Sequence, residues 1–378
     1  MYTTFDLGEL FGIPIKVHLS LLIILPFFVW AFGSNFIYLT EQTDIARREL
    51  LLNPYILGAI MATLLFMSVL AHELAHSLTA RKKGVKTNDI TLVLFGGMAN
   101  IDDFSDNPNN EIIISASGPL LSLVIGLVLL PTANFAPEFL LEDIRLIILY
   151  TGQLNIILAL FNLLPAFPTD GGRILRAFIA KKHSLAEATE IASRIGKIFA
   201  VAFGILGLMS GNLLLVLVAL FIYFGAMQEH KYSNIKSALS NLKVGDLMTK
   251  DVKTVEANIS VHRLIEKMFD YKHSGFPVER DGEILGMVTM EDARKIPKEE
   301  YSNTPVQAIM TKEIHSVKAE DELYEAFKLL FQKDIGRLLV MDGQELKGII
   351  TRSDVMTGIR VQQLENIKRE KEDDPFSS

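Results

Sequence analysis

Residues 61–80 read MATLLFMSVLAHELAHSLTA, and within five positions of this apolar run stand His72, Glu73 and His76. On a helix, positions i and i+4 share a face with their Cβ atoms about 6 Å apart. His72 and His76 therefore project together, a spacing suited to two imidazole ligands on one zinc ion. Glu73 comes directly after His72, angled so that its carboxylate can act as general base on a water activated there. Zinc used catalytically takes a third protein ligand and keeps one position open. The stretch Asn162-Leu163-Leu164-Pro165-Ala166-Phe167-Pro168-Thr169-Asp170-Gly171-Gly172 offers Asp170 as a candidate. Pro165 stops a helix and the glycine pair loosens the backbone beyond it, so Asp170 is expected on irregular backbone at a membrane edge, where surrounding protein or a watery cavity must satisfy it. Read alone, the same stretch is an ordinary turn.

An ionisable side chain at membrane depth costs several kcal/mol, roughly 2.5–3.5 on insertion scales. A bound dication with carboxylate partners offsets that cost; three polar residues lining a watery pore are the other way to do so. The setting is apolar: 49% of the 378 residues are hydrophobic, crowded into 14–228, while 229–378 has the mixed composition of a soluble domain. A net charge of −7 argues against a broad nucleic-acid surface. The chain has no cysteine, which excludes disulfides, thiolate zinc sites and cysteine nucleophiles. The N-terminal MYTTFDLGELFGIPIK lacks a cationic segment and a small-residue cleavage site, so the first apolar run is expected to stay attached.

A helix needs about 20 mostly apolar residues to cross a bilayer. Residues 17–34, 54–79, 112–131 and 144–165 are candidates, and 195–228 holds two more joined by Ser210-Gly211-Asn212, six in all. Arg81, Lys82, Lys83 and Lys86 after the second span, and Arg173, Arg176, Lys181 and Lys182 after the fourth, fall on one side. The loop at 132–143 carries only acidic charge, and that at 35–53 is mixed. Both termini and the C-terminal half are therefore expected in the cytoplasm, with the chain a multi-pass protein of the cell membrane. His18, near the cytoplasmic end of the first span, reads as a lining or structural residue.

His72-Glu73-Leu74-Ala75-His76 together with Asn162-Leu163-Leu164-Pro165 and Asp170-Gly171 resembles the site-2 protease family of intramembrane metalloproteases, whose paired HExxH and NxxPxxxxDG motifs both fit without a gap. The resemblance implies that His72, His76 and Asp170 bind zinc, that Glu73 is the base, and that Asn162 supports the scissile carbonyl or its oxyanion. The family's GPxxN-like element appears as Gly118-Pro119-Leu120-Leu121-Ser122, with serine where asparagine is commoner. Gly118-Pro119 is also readable as a kink that lets helices pack closely. Residues 88–101, NDITLVLFGGMANI, read as a short hairpin around Gly96-Gly97. The family places a comparable strand beside the zinc, where Phe95, Gly96, Gly97 and Met98 would pair with an extended substrate; capping the cavity is the alternative.

Residues 244–357 repeat at an offset of 62: VGDLMTKDVKTVEANISVHRLIEKM aligns with VQAIMTKEIHSVKAEDELYEAFKLL, and GMVTMEDA with GIITRSDV. Each copy reads as strand, helix, apolar strand, turn, strand and helix, and the pair resembles tandem CBS domains. That implies a pseudo-twofold module, a homodimer contact, and an adenine nucleotide held by Thr289 and Asp292 and by Thr351 and Asp354. These residues would otherwise simply cap the helices after their strands. The expected architecture is thus a polytopic α-helical membrane domain of six transmembrane helices with a membrane-associated β-hairpin (1–230), a linker (231–243), a soluble α/β tandem CBS module (244–300 and 306–360) and a charged tail (361–378). The expected function is cleavage of transmembrane protein substrates in the lipid bilayer by a zinc endopeptidase. A CBS-regulated transporter or channel is the rival, though it lacks matched half-repeats.

Overall fold

A sheet that the apolar runs do not announce opens the first of two units. The computed structural model describes residues 4–42, 51–93, 96–101, 107–135 and 141–372, and the chain divides into Met1–Ser233 and Asn234–Ser378. Strands β1 (Thr4–Leu10) and β2 (Ile13–His18) form an antiparallel hairpin whose turn, Phe11-Gly12, has both residues at positive φ. Ile13, Ile15 and Val17 are buried and alternate with less buried neighbours, the period-two signature of a strand with one covered face. Helices α1 (Leu19–Gln42) and α2 (Pro54–Lys82) come next, and the chain returns as β3 (Thr87–Val93) and β4 (Gly96–Ile101). β3 runs parallel to β2, giving the order β1-β2-β3-β4. His18 is thus the last residue of a strand rather than part of a span, its Nδ1 2.8 Å from the Ser20 hydroxyl.

Helix α2 organises this unit. Asn53 caps it by accepting from the Tyr55 amide, Pro54 supplies a pre-set first φ, and Arg81 and Lys82 complement its carboxyl end. Leu70, Leu74 and Leu78 pack on Ile13, Ile15 and Ile90 of the sheet. At 3.6 residues per turn, His72 and His76 lie about 200° around the helix from those leucines. One side of α2 is therefore held by the sheet, and the opposite side presents both imidazoles to the bundle.

That bundle comprises α3 (Pro108–Asn134), α4 (Glu142–Asn162), the shorter α5 (Asp170–Ala180), α6 (Leu185–Ser210) and α7 (Leu213–Ser240). Among the described residues of this unit, six helices, all but α5, are long and apolar enough to cross a membrane, and α2 is the most enclosed of them. Helix α3 turns a stripe of small and polar residues inward, Glu111, Ser115, Gly118, Ser122 and Gly126, so its backbone can approach its neighbours closely. Gly211, at φ +67°, ends α6 in the left-handed conformation and permits the tight turn into α7. Residues 231–240, expected as a linker, are the last turns of α7.

The second unit contains α8 (Val244–Leu247), β5 (Val255–Glu256), α9 (Val261–Tyr271), β6 (Gly275–Arg280), β7 (Glu283–Thr289) and α10 (Met290–Arg294). Its second copy runs β8 (Ser316–Val317), α11 (Leu323–Gln332), β9 (Arg337–Asp342), β10 (Glu345–Thr351) and α12 (Arg352–Glu372). Each copy forms a three-stranded sheet, β5-β6-β7 or β8-β9-β10. The copies exchange their leading segments. Thr249 bridges to Ile349 and Thr311 to Met287, while Val244 enters the core of the second copy and Val306 that of the first. Gly275 and Arg337 occupy equivalent positions, and the Arg337 guanidinium donates to the Gly275 carbonyl at 2.7 Å, so the two copies meet there along their pseudo-twofold relation. Burial pushes the Arg337 guanidinium below its ordinary pKa.

Candidate metal centre

Two elements remote in sequence, α2 and α5, bring three side chains together on the inward side of α2. His72 Nε2 and His76 Nε2 lie 3.1 and 3.2 Å from Asp170 Oδ2. One ligand atom from each residue falls within 4.8 Å of the others. Four-coordinate zinc with bonds near 2.0–2.1 Å sets its donors about 3.3 Å apart, so these nitrogen-to-oxygen separations fit the group.

The opposite ring nitrogens are engaged. His76 Nδ1 is 2.7 Å from the Ile114 carbonyl, which can only accept, so the Nδ1 proton points there and a neutral ring leaves its Nε2 lone pair inward. His72 Nδ1 lies 3.0 Å from the Ser122 hydroxyl. Fixing the outer nitrogen in this way orients a histidine ligand and raises its basicity. Both imidazoles are buried. Above them passes Gly118: a Cβ there would stand 2.3 Å from His76 Nε2 and 2.7 Å from His72 Nε2. The glycine leaves open the space that two nitrogens and a carboxylate oxygen surround.

Asp170 corrects the expectation of irregular backbone. It is the first residue of α5, and the non-helical stretch is the preceding turn Leu163–Thr169. The Thr169 hydroxyl donates to the Leu164 and Ala166 carbonyls at 2.7 Å each, tightening that turn just before the carboxylate.

Glu73 faces another neighbour. A Cβ at Gly97 would lie 2.3 Å from Glu73 Cγ and 3.1 Å from its Oε1, so the β4 backbone passes directly against this carboxylate. The glycines lie inside β4 and not at the hairpin's turn, because Val93 pairs with Gly96. Phe95, one of the residues expected beside a substrate, lies outside the described residues. Asn162 closes α4 and donates its side-chain amide to the Leu158 carbonyl at 3.0 Å. In the second unit, Thr289 and Asp292 form a reciprocal cap on α10, with Thr289 Oγ1 donating to Asp292 Oδ2 at 2.7 Å. Thr351 and Asp354 repeat that hydrogen bond at 2.7 Å.

Two participants carry little signal in the sequence. The Ile114 carbonyl is a backbone group with no side-chain signature. Gly118 is legible there as part of the GPxxN-like element or as a kink, but not as the backbone that passes over both imidazoles.

Paired imidazoles and a carboxylate from a later helix, set among helices apolar enough to span a membrane, fit a metallopeptidase of membrane type. Consistent with that class, the Peptidase family M50 model matches residues 60–144 and 138–203, and the CBS domain model matches 244–299 and 306–360. The zinc metalloprotease MJ0392 of Methanocaldococcus jannaschii is 34% identical over 363 residues, covering 95% of this chain and 96% of that one. A solved site-2 protease from the same organism is 37% identical, covering 60% of this chain and 95% of that one, with a TM-score of 0.42. An inosine-5'-monophosphate dehydrogenase of M. jannaschii matches at 30% identity over 131 residues, 34% of this chain and 25% of that enzyme. The chain belongs to the site-2-protease-like zinc metalloproteases of peptidase family M50, in a form that carries a tandem CBS pair. That membership selects the peptidase over the transporter.

Proposed function

We propose that this metalloprotease hydrolyses peptide bonds within or beside membrane-spanning segments of other proteins, and that its CBS pair answers to an adenine nucleotide. The observation that carries the first part is the meeting of His72, His76 and Asp170 on the enclosed face of a helix apolar enough to span a bilayer. In this reading those three residues hold the zinc. When bound, zinc supplies Lewis acidity toward a carbonyl and a water molecule.

The chain's own residues do the rest. Glu73 takes the proton of the attacking water on its carboxylate and returns it to the nitrogen of the leaving amine, so the amide bond is replaced by an acid and an amine with no net proton change. A peptide bond inside a helix is shielded from attack, and an edge strand can hold it extended. β4 is an edge of its sheet, and its Gly97 runs beside Glu73. Pairing of substrate backbone to that edge places the scissile bond next to the base. Asn162 serves as a polar support for the carbonyl. The basic residues ending α2 support a cytoplasmic location for the site, the N-terminus and the CBS pair.

Glu73→Gln tests the chemistry, since the amide keeps the shape and loses the basicity. Turnover of a transmembrane substrate should fall by about 100-fold or more, the scale of a lost general base, with zinc content unchanged. A zinc-loaded variant that still cleaves would remove Glu73 from this role.

A further inference from the structure

A buried ion cluster lies close to the metal centre without touching it. Arg176, on α5, donates through Nε to Glu111 Oε1 at 2.9 Å, through Nη2 to the same oxygen, and through Nη1 to Glu229 Oε1 at 2.7 Å. Its guanidinium carbon also sits 5.3 Å from the centre of the Phe167 ring. Arg176, Glu111 and Phe167 are all buried, although charge patterning alone places Arg176 in a cytoplasmic loop.

Burying such charges is a poor way to add stability, because desolvation commonly cancels the attraction and apolar replacements often do as well. What the guanidinium provides that a hydrophobic cluster cannot is a planar fork with fixed directions. Two of its contacts, Glu111 and Phe167, and the helix that carries it lie one step from a candidate ligand. Arg176 shares α5 with Asp170, the first residue of that helix. Phe167 belongs to the turn that delivers Asp170. Glu111 lies nearly one helical turn before Ile114, whose carbonyl fixes His76 Nδ1. One side chain therefore ties the element bearing the carboxylate to the element that aims an imidazole.

We propose that Arg176 is a positioning residue for the metal site: its fork, gripping Glu111 on α3 and Glu229 on α7, fixes the separation of Asp170 from His76. The inference rests on the assignment of these residues as zinc ligands.

The test uses purified full-length protein and zinc itself as probe. Arg176→Lys retains the cation and loses the fork. Chelator competition should show zinc held about tenfold more weakly, the scale seen when an outer partner of a metal ligand is lost. The fall in kcat should come with an unchanged KM for a transmembrane substrate. The zinc-free melting temperature should stay near that of the zinc-free wild type. A purely structural role predicts the reverse, a lower zinc-free melting temperature with wild-type zinc affinity, and wild-type affinity in this variant overturns the proposal. If Arg176→Lys does not fold, the paired Arg176→Met and Glu111→Gln variant removes both charges together, and the same affinity comparison decides. A wild-type chain that binds no zinc refutes the ligand assignment itself, so the two failures are distinguishable.

Discussion

At the scale of single residues, the centre depends on what surrounds its donors as much as on the donors. Gly118 is the sharpest case. A methyl group there would sit within 2.3 Å of His76 Nε2 and 2.7 Å of His72 Nε2, and the neighbouring atoms are rings already pinned through Nδ1. Gly118→Ala should therefore weaken zinc binding by more than the about 10–100-fold typical of a lost outer hydrogen bond. Equilibrium dialysis against zinc reads this directly, and wild-type affinity would mean the donors do not face a common ion. His72, Glu73 and His76 were legible from spacing alone, because helical periodicity puts residues i and i+4 on one face whatever else the chain does. The serine at position 122 was legible as a departure from the commoner asparagine, and its hydroxyl nonetheless reaches His72. The Ile114 carbonyl was not legible, since no side chain encodes which backbone oxygen a distant ring will meet.

Among the elements, β4 governs how Glu73 is presented. The strand passes so close that only glycine fits at position 97 without displacing the carboxylate. Gly97→Val should lower turnover by about 100-fold, the cost of a misplacement near 1 Å at a reacting centre. Zinc binding should persist, because the three donors lie on α2 and α5. Loss of zinc along with activity in that variant would place the strand in the ligand scaffold instead. The spans themselves were readable from length and hydropathy, and the hairpin from its β-branched run. The β1–β2 pair was not, because its Ile13-to-Val17 alternation is short and abuts the first apolar run. The start of α5 was also misjudged. Two glycines after Asp170 suggested loose backbone, yet Gly171 and Gly172 are buried inside the helix, where the approach of the Leu163 to Phe167 backbone leaves no room for side chains.

Across the whole molecule, a membrane peptidase unit is joined to a module of two exchanged copies. The repeat at an offset of 62 revealed the copies, but it carried no information about which sheet takes each leading segment, since that depends on pairing between chain segments far apart. The Thr289–Asp292 and Thr351–Asp354 caps present hydroxyl and carboxylate at equivalent places in both copies. Calorimetric titration of the full chain with ATP, ADP and AMP should give saturable heat with at least one of them, and none with all three would rule out a nucleotide at these caps.

The convergence of α2 and α5 on one ion is tested most directly by metal content. Mass spectrometry of the purified wild type and Asp170→Ala chains, prepared identically, should find about one zinc per wild-type chain and a small fraction of that in the variant, because two imidazoles alone make an incomplete site. An Asp170→Ala chain that retains the wild-type amount would contradict it.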